Sequence, residues 1–305
     1  MSANKPIYVK TNIQTDIESL WKFSQNPQLH QRWDLRFSAI DYLQKEKPTD
    51  DQHFLYRTNI GLGLSIHGTG ISRGEMSKEN GERTSSLQFF SDHPLSFIKQ
   101  GSGYWKYKPN GDSVEFLTQY NYEVKGGKAG GWIDKRLFKP LIGWATSWSF
   151  DALKLWLEKG IQPEETIRKS LIHFLVCFSL AFVWMYQGLV PKLLFPETGE
   201  IEMVKASGIF SGYESGMVTV IGVAQMLIGL LFLLPIKKKW LFLGSSVAVF
   251  LLGIGPLIIS PEQFILPFNP ASLNMAMIVI GIIGALNCKN LALARHCKRR
   301  KEKIV

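Results

Sequence analysis

Cysteine is scarce in this chain. There are three in 305 residues, Cys177, Cys288 and Cys297, and no two form a CxxC pair. That usage excludes a disulfide framework and the common zinc sites. No GxSxG elbow, Walker loop, HExxH helix or dinucleotide fingerprint is present, so the recurrent hydrolase, nucleotide and metalloprotease solutions find no support. His30, His53, His67 and His93 are scattered without metal-ligand spacing. No catalytic residue and no metal site are therefore expected, and a non-enzymatic role is favoured. Catalysis assembled from spatial neighbours stays open. The opening stretch MSANKPIYVKTN lacks an apolar core segment, so no cleavable signal peptide is expected, and the first half is expected to start in the cytoplasm.

What is present changes sharply along the chain. Up to about residue 166 charged and apolar residues mix as in a globular domain, with enough chain to bury a core. From residue 171 onward long apolar runs take over. Four of them, at about 171–190, 218–236, 241–259 and 273–291, reach the length that a bilayer-crossing helix needs and are apolar on all faces. The formal net charge is +10, and much of the excess lies beside these runs. Arg168 and Lys169 precede the first, Lys237, Lys238 and Lys239 separate the second and third, and Arg295 to Lys303 follow the fourth. The loop from Pro191 to Met217 carries Glu197, Glu200, Glu202 and Glu214 against Lys192 and Lys205, and Ser260 to Ser272 carries only Glu262. All the basic stretches thus fall on one side, which predicts four spans with both termini cytoplasmic. Charge placed in this way marks topology. No zinc-finger, helix-turn-helix or RNP signature accompanies it, so nucleic acid is not an expected partner.

The first half reads as a strand, two short helices, further strands and a long helix. Ile7 and Val9 alternate as in a strand. Ile17, Leu20 and Trp21 share a helical face, with Thr15 as the expected N-cap, and Pro27 opens a second helix. Strand-like stretches follow at about 37–43, 53–60, 64–72, 85–91, 95–108 and 113–124, with turn signals at Gly61-Leu62-Gly63, Asn80-Gly81 and Asn110-Gly111. Gly61-Leu62-Gly63 opens no helix, which argues against phosphate binding there. A helix is predicted over about 131–159, with Leu137, Leu141, Trp144, Trp148 and Leu155 as its apolar stripe and Pro140 as a point of kinking. The fold class expected is α+β: a seven-stranded antiparallel sheet wrapped round a long C-terminal helix, then an all-α bundle of four transmembrane helices. The space between sheet and helix suits a lipophilic ligand.

Two resemblances rest on particular residues. Leu20-Trp21, the run from Asn26 to Phe37 (NPQLHQRWDLRF) and the run from Phe138 to Asp151 (FKPLIGWATSWSFD) resemble an SRPBCC domain, the START-like and polyketide-cyclase-like family. The likeness spans about residues 1–160 and implies a helix-grip fold with a deep hydrophobic cavity. The run from Trp184 to Leu194 (WMYQGLVPKLL), followed by Glu202, resembles the DoxX-like family of small four-helix membrane proteins over about 168–295. A distant relative there is a subunit of a thiosulfate:quinone oxidoreductase. Gln225 stands where many relatives are expected to carry a membrane-embedded carboxylate. The domains expected are 1–162, SRPBCC-like; 168–295, DoxX-like; and 296–305, a basic cytoplasmic tail.

Candidate site residues follow. Trp33, Asp34 and Arg36 form a dense group, read either as a structural ion pair at the cavity rim or as polar groups that orient a ligand headgroup. Trp105, Trp144 and Trp148 are expected in the core or the cavity wall. In the membrane half the polar candidates are Gln187, Lys192, Glu202, Glu214 and Gln225. Lys192 either marks a helix exit, its amine snorkelling, or pairs with Glu202 or Glu214. Gly222 and Gly229 are expected at close helix contacts, and Gln225 is expected to bond a neighbouring helix. The leading function is a membrane-anchored protein that holds a lipid, isoprenoid or quinone, with the bilayer and a hydrophobic small molecule as partners. The alternatives are a quinone-linked oxidoreductase component, and a structural or regulatory subunit with a membrane-protein partner. No cofactor is expected from any motif; a quinone is the one that the DoxX resemblance admits.

Overall fold

The computed structural model describes residues 5–301 apart from 48, 209, 260, 266 and 268. Lys303 and Ser260, counted above with the flanking segments, lie outside the described residues. The chain divides into two compact units, one built from residues 1–166 with 292–305 and the other from 167–291.

In the first unit β1 (Ile7–Ile13) is followed by α1 (Ile17–Gln25) and α2 (Pro27–Trp33). Asp16, rather than Thr15, caps α1: its carboxylate accepts from the Ser19 backbone N–H at 2.7 Å and from the Ser19 hydroxyl at 2.7 Å. An ionised oxygen at a helix N-terminus is the stronger acceptor and also meets the positive end of the helix dipole. Asn26 caps α2, with Pro27 at its first position.

Six strands then run as a meander, β2 (Ala39–Tyr42), β3 (Gln52–Gly61), β4 (Leu64–Ser77), β5 (Arg83–Phe90), β6 (Ile98–Asn110) and β7 (Ser113–Val124). The sheet has seven strands in the order β1-β7-β6-β5-β4-β3-β2, all antiparallel. Alternation along β1 and β7 puts Val9, Ile13, Phe116 and Tyr120 on the inner face. Glycines in mid-strand let aromatic neighbours lie flat on the backbone. A side chain at Gly70 would collide with the Phe54 ring, and one at Gly103 with Tyr120.

The helix predicted over 131–159 is longer and interrupted. It comprises α3 (Gly127–Ile133), a π-helical turn (Asp134–Phe138) and α4 (Lys139–Lys159). The wider turn ends just before Pro140, which has no N–H to give to a preceding carbonyl, so the irregularity lies where the imino acid requires one. Phe150 stacks on Phe116 with ring centroids 4.4 Å apart, and Leu153 and Trp156 complete the contact with the sheet.

The expected apolar stripe is buried only in its later part, at Trp148 and Leu155. Leu137, Leu141 and Trp144 are exposed, whereas Thr146, Ser147, Ser149, Asp151 and Ala152 are buried. The cause is the segment 292–301, which covers the other side of α4. Trp148, Ala152 and Leu155 pack with Ala292. Buried Asp151 accepts from the Leu293 N–H at 2.8 Å and lies 2.7 Å from His296 Nδ1. Lys298 pairs with Lys10 on β1, and the Cys297 thiol donates to the Ser147 carbonyl at 3.3 Å. The residues after the last apolar run therefore complete the first unit and cover an edge strand.

The second unit holds α5 (Pro163–Gly188, its first turn in the first unit), which continues as a π-helical turn to Leu194, then α6 (Glu200–Ser207), α7 (Glu214–Leu233), α8 (Lys239–Ile259) and α9 (Pro270–Asn287). Four of its helical segments are long and apolar enough to cross a membrane. Gly222 and Gly229 abut the backbone of the first of these, at Gly188 and Ala181, so close helix contact is their role. The indole N–H of Trp184 donates to Ser245 Oγ at 2.8 Å.

Cys297 reports whether the terminal segment is docked. Burial first, and the nearby Asp151 charge second, push its thiol up to about 12, and the thiolate is the reactive form. At about pH 8 a maleimide should leave Cys297 unlabelled in the folded protein, and Asp151→Ala should accelerate its labelling about tenfold or more. Peptide mass spectrometry separates it from Cys177 and Cys288. Rapid labelling of the unaltered protein would show that the segment is not docked.

Candidate functional site

A cavity of about 530 Å³ lies between the inner face of the sheet and α4, within the range of small-molecule sites. The sheet contributes Ile40, Phe54, Tyr56, Ile66, Leu87, Phe89, Tyr104 and Trp105, and the helical side contributes Phe138, Leu141, Ile142 and Ala145. Leu95 and Leu141 line it and are half exposed, so they stand where it opens.

Its polar feature is built at the end of α2. Asp34 is the C-cap of that helix, and its side chain is wholly buried. One carboxylate oxygen accepts from Arg36 N at 3.1 Å and Arg36 Nε at 2.9 Å. The other accepts from Arg36 Nη2 at 2.6 Å and meets His30 Nε2 at 3.0 Å. Burial alone would push the Asp34 carboxyl up. The Arg36 charge and the bonds from Arg36 and His30 outweigh it and hold that carboxyl well below the usual carboxylate range. Burial also lowers the His30 imidazole, more than its bond to Asp34 raises it, so His30 is neutral at neutral pH. Neighbouring chain holds the group in place. Leu35 N donates to Ser149 Oγ on α4 at 2.9 Å, and Thr58 donates to the Arg36 carbonyl at 2.6 Å. The Arg36 guanidinium lies 5.4 Å from the centre of the Tyr120 ring.

The candidates from sequence are distributed as follows. Arg36 and Trp105 line the cavity. Asp34 sits behind Arg36, and Trp33, 1% exposed, packs in the core between Trp105 and Phe150 with its indole N–H on the Phe23 carbonyl. Trp148 is buried under the terminal segment, and Trp144 is 44% exposed on the outer side of α4. Neither is among the lining residues. His30, Tyr56 and Tyr120 line the cavity but were not singled out from sequence. Period-two alternation could have found the tyrosines, and the i, i+4 spacing on α2 the His30–Asp34 pair; only the fold brings His30 to Trp105.

The membrane-half candidates do not converge. Lys192 is buried and pairs with Glu200 at 2.6 Å, not with Glu202 or Glu214. Glu200 opens α6, whose N-terminus favours an acid. Glu202 is exposed, Glu214 accepts from Gly212 N at 3.0 Å, and Gln187 is half-buried. Gln225 is buried on the same side of α7 as Gly222 and Gly229, and its Oε1 has no partner among the described residues, so the expected interhelical bond does not form through that atom.

Two groups give the first unit an acid limit. His30 takes up a proton more readily when unfolded, so its contribution to stability is present above about pH 6.5 and declines as the pH falls below it. Asp34 has a depressed folded pKa, so its contribution is present above about pH 4 and is lost below that. Stability followed by near-ultraviolet circular dichroism should therefore fall in two acid steps. His30→Gln, which keeps a donor for Asp34, should remove the upper step alone. Parallel pH curves for the two proteins would contradict this assignment.

Residues 181–282 match the DoxX-like family. The STAR-related lipid transfer protein of Xanthomonas axonopodis aligns with a TM-score of 0.39 and 15% identity over 50% of this chain and 85% of its own. The Zhui aromatase/cyclase of a Streptomyces species aligns with a TM-score of 0.33 and 8% identity over 42% and 72%. The uncharacterized membrane protein YndG of Bacillus subtilis (strain 168) is 44% identical over 248 residues, which cover 81% of this chain and 83% of YndG. With that identity over most of both sequences, this multi-pass membrane protein belongs to the YndG family.

Proposed function

We propose that the first unit is a binding module for a lipophilic small molecule, and that the four spans anchor it in the membrane from which the ligand comes. The observation that carries this reading is the cavity of about 530 Å³, walled by aliphatic and aromatic side chains. Apolar volume of this size is normally filled by side chains in a domain whose only task is to be stable. The opening supports exchange with a bilayer. Trp132, Ile133, Leu137 and Leu141 are exposed on the helical segment beside it, interspersed with Lys135 and Arg136. Exposed apolar side chains among basic ones suit an anionic lipid surface.

Topology belongs to the same proposal. Both ends of the four-span unit continue into one folded unit. That supports an even number of crossings, and the positions of the Lys and Arg stretches support the cytoplasm as the shared side.

Native mass spectrometry of the detergent-purified protein, followed by lipidomics of what it releases, tests the reading. A defined lipophile should copurify. Ala145→Phe fills part of the cavity from α4 and should cut its occupancy about tenfold, with the thermal midpoint little changed. Occupancy indifferent to Ala145→Phe would place the lipophile elsewhere. In proteoliposomes, Trp132→Glu with Leu137→Glu should slow ligand loading about tenfold and leave the final occupancy unchanged. Unchanged loading would remove the exposed helix from the path.

A further inference from the structure

Arg36 is the one residue with a formal charge among the described residues that line the cavity, and its charge is already matched. Asp34 occupies Nε and Nη2 in a two-pronged ion pair. The pair with neutral His30 has no net charge. A ligand carboxylate or phosphate would give up its hydration to enter and would meet no spare cation.

Most of the other polar groups in the wall are committed to the protein. Tyr42 donates to the Gln25 carbonyl, Tyr56 to that of Phe90, Thr118 to that of Tyr104 and Ser96 to that of Ile98; the Tyr120 hydroxyl bonds with Thr146. Two functions are left near Asp34. One is the Nη1 edge of Arg36, whose two N–H groups the carboxylate does not take and which also has the Tyr120 hydroxyl as a neighbour. The other is His30 Nδ1. Because anionic Asp34 accepts from Nε2, the proton lies there and Nδ1 is an acceptor.

We propose that the cavity selects lipophiles with an uncharged oxygen headgroup, a hydroxyl or a carbonyl, over acids of the same chain length. A hydroxyl accepts from Arg36 and donates to His30, and a carbonyl accepts from Arg36. A carboxylate gains the same bond but leaves a net negative charge in apolar surroundings. This selectivity rests on the cavity being the ligand site.

The test is competition against Nile red by 1-dodecanol, 2-tridecanone and dodecanoate, with full-length protein in amphipol at about pH 8, where the acid is ionised. Signal that survives Ala145→Phe is subtracted as binding outside the cavity. The alcohol and the ketone should displace the dye about tenfold more tightly than the acid. Asp34→Asn uncovers the Arg36 charge and should raise dodecanoate about tenfold relative to dodecanol. Dodecanoate equal to or tighter than the neutral probes in the unaltered protein overturns the selectivity, and this ranking decides alone if the variant does not fold. Dye binding that Ala145→Phe leaves intact, with no probe able to displace it, overturns the cavity reading itself.

Discussion

A carboxylate taken wholly out of water must be answered by donors and by a cation, and the answer given to Asp34 organises the first unit. Four donors converge on its two oxygens, and three of them belong to Arg36. To supply them the chain must turn directly after α2, which brings Leu35 against Ser149 of α4 and delivers Arg36 to the cavity wall. Helix, turn, cavity and long helix are thus held by one group. Removing either partner would leave an uncompensated buried charge, a loss of about 3–5 kcal/mol. The same arrangement gives the cavity a polar end without giving it a net charge.

The second constraint acts on α4. A helix in contact with a sheet on one side usually shows water the other. Here the segment 292–301 covers that other side, and buried Asp151 holds it through Leu293 and His296. The first unit is consequently discontinuous in sequence, begun before the apolar helices and finished after them. Its final packing cannot form until the whole membrane half has been made. Folding of the two halves is coupled by chain order, whatever their contacts.

Local pattern made much of this legible. Alternation and turn signals give all seven strands, because a sheet with one buried face imposes its period on the sequence. The apolar runs give the four spans, because a bilayer tolerates little else. The Trp33-Asp34-Arg36 group stood out as a charge pair inside an aromatic setting. What failed was long-range. Leu137 and Trp144 on the expected stripe look like part of a core face, but the sheet faces Ile142, Thr146 and Phe150 instead, and Leu141 stands at the cavity opening. Trp148 is in the core as its place on the stripe suggests, but what covers it is the terminal segment, more than 140 residues away, as the Leu293–Asp151 separation of 142 shows. The choice of Glu200 by Lys192 depends on where α6 begins, which the loop's composition does not reveal.

The neutrality of the cavity and the presence of four spans bear on each other. An ionised headgroup confines a lipid to the bilayer surface, since moving it inward means dehydrating a charge. Lipophiles with a hydroxyl or carbonyl head carry no such charge and reside deeper among the acyl chains. A soluble carrier that waits for such molecules in the cytosol would meet few of them. A cavity fixed by its own chain to the membrane has them at high local concentration, in the sense that tethering raises an effective concentration without any new contact. On the proposed reading the matched charge inside the cavity and the apolar helices outside it answer one requirement: the ligand is a molecule of the membrane interior.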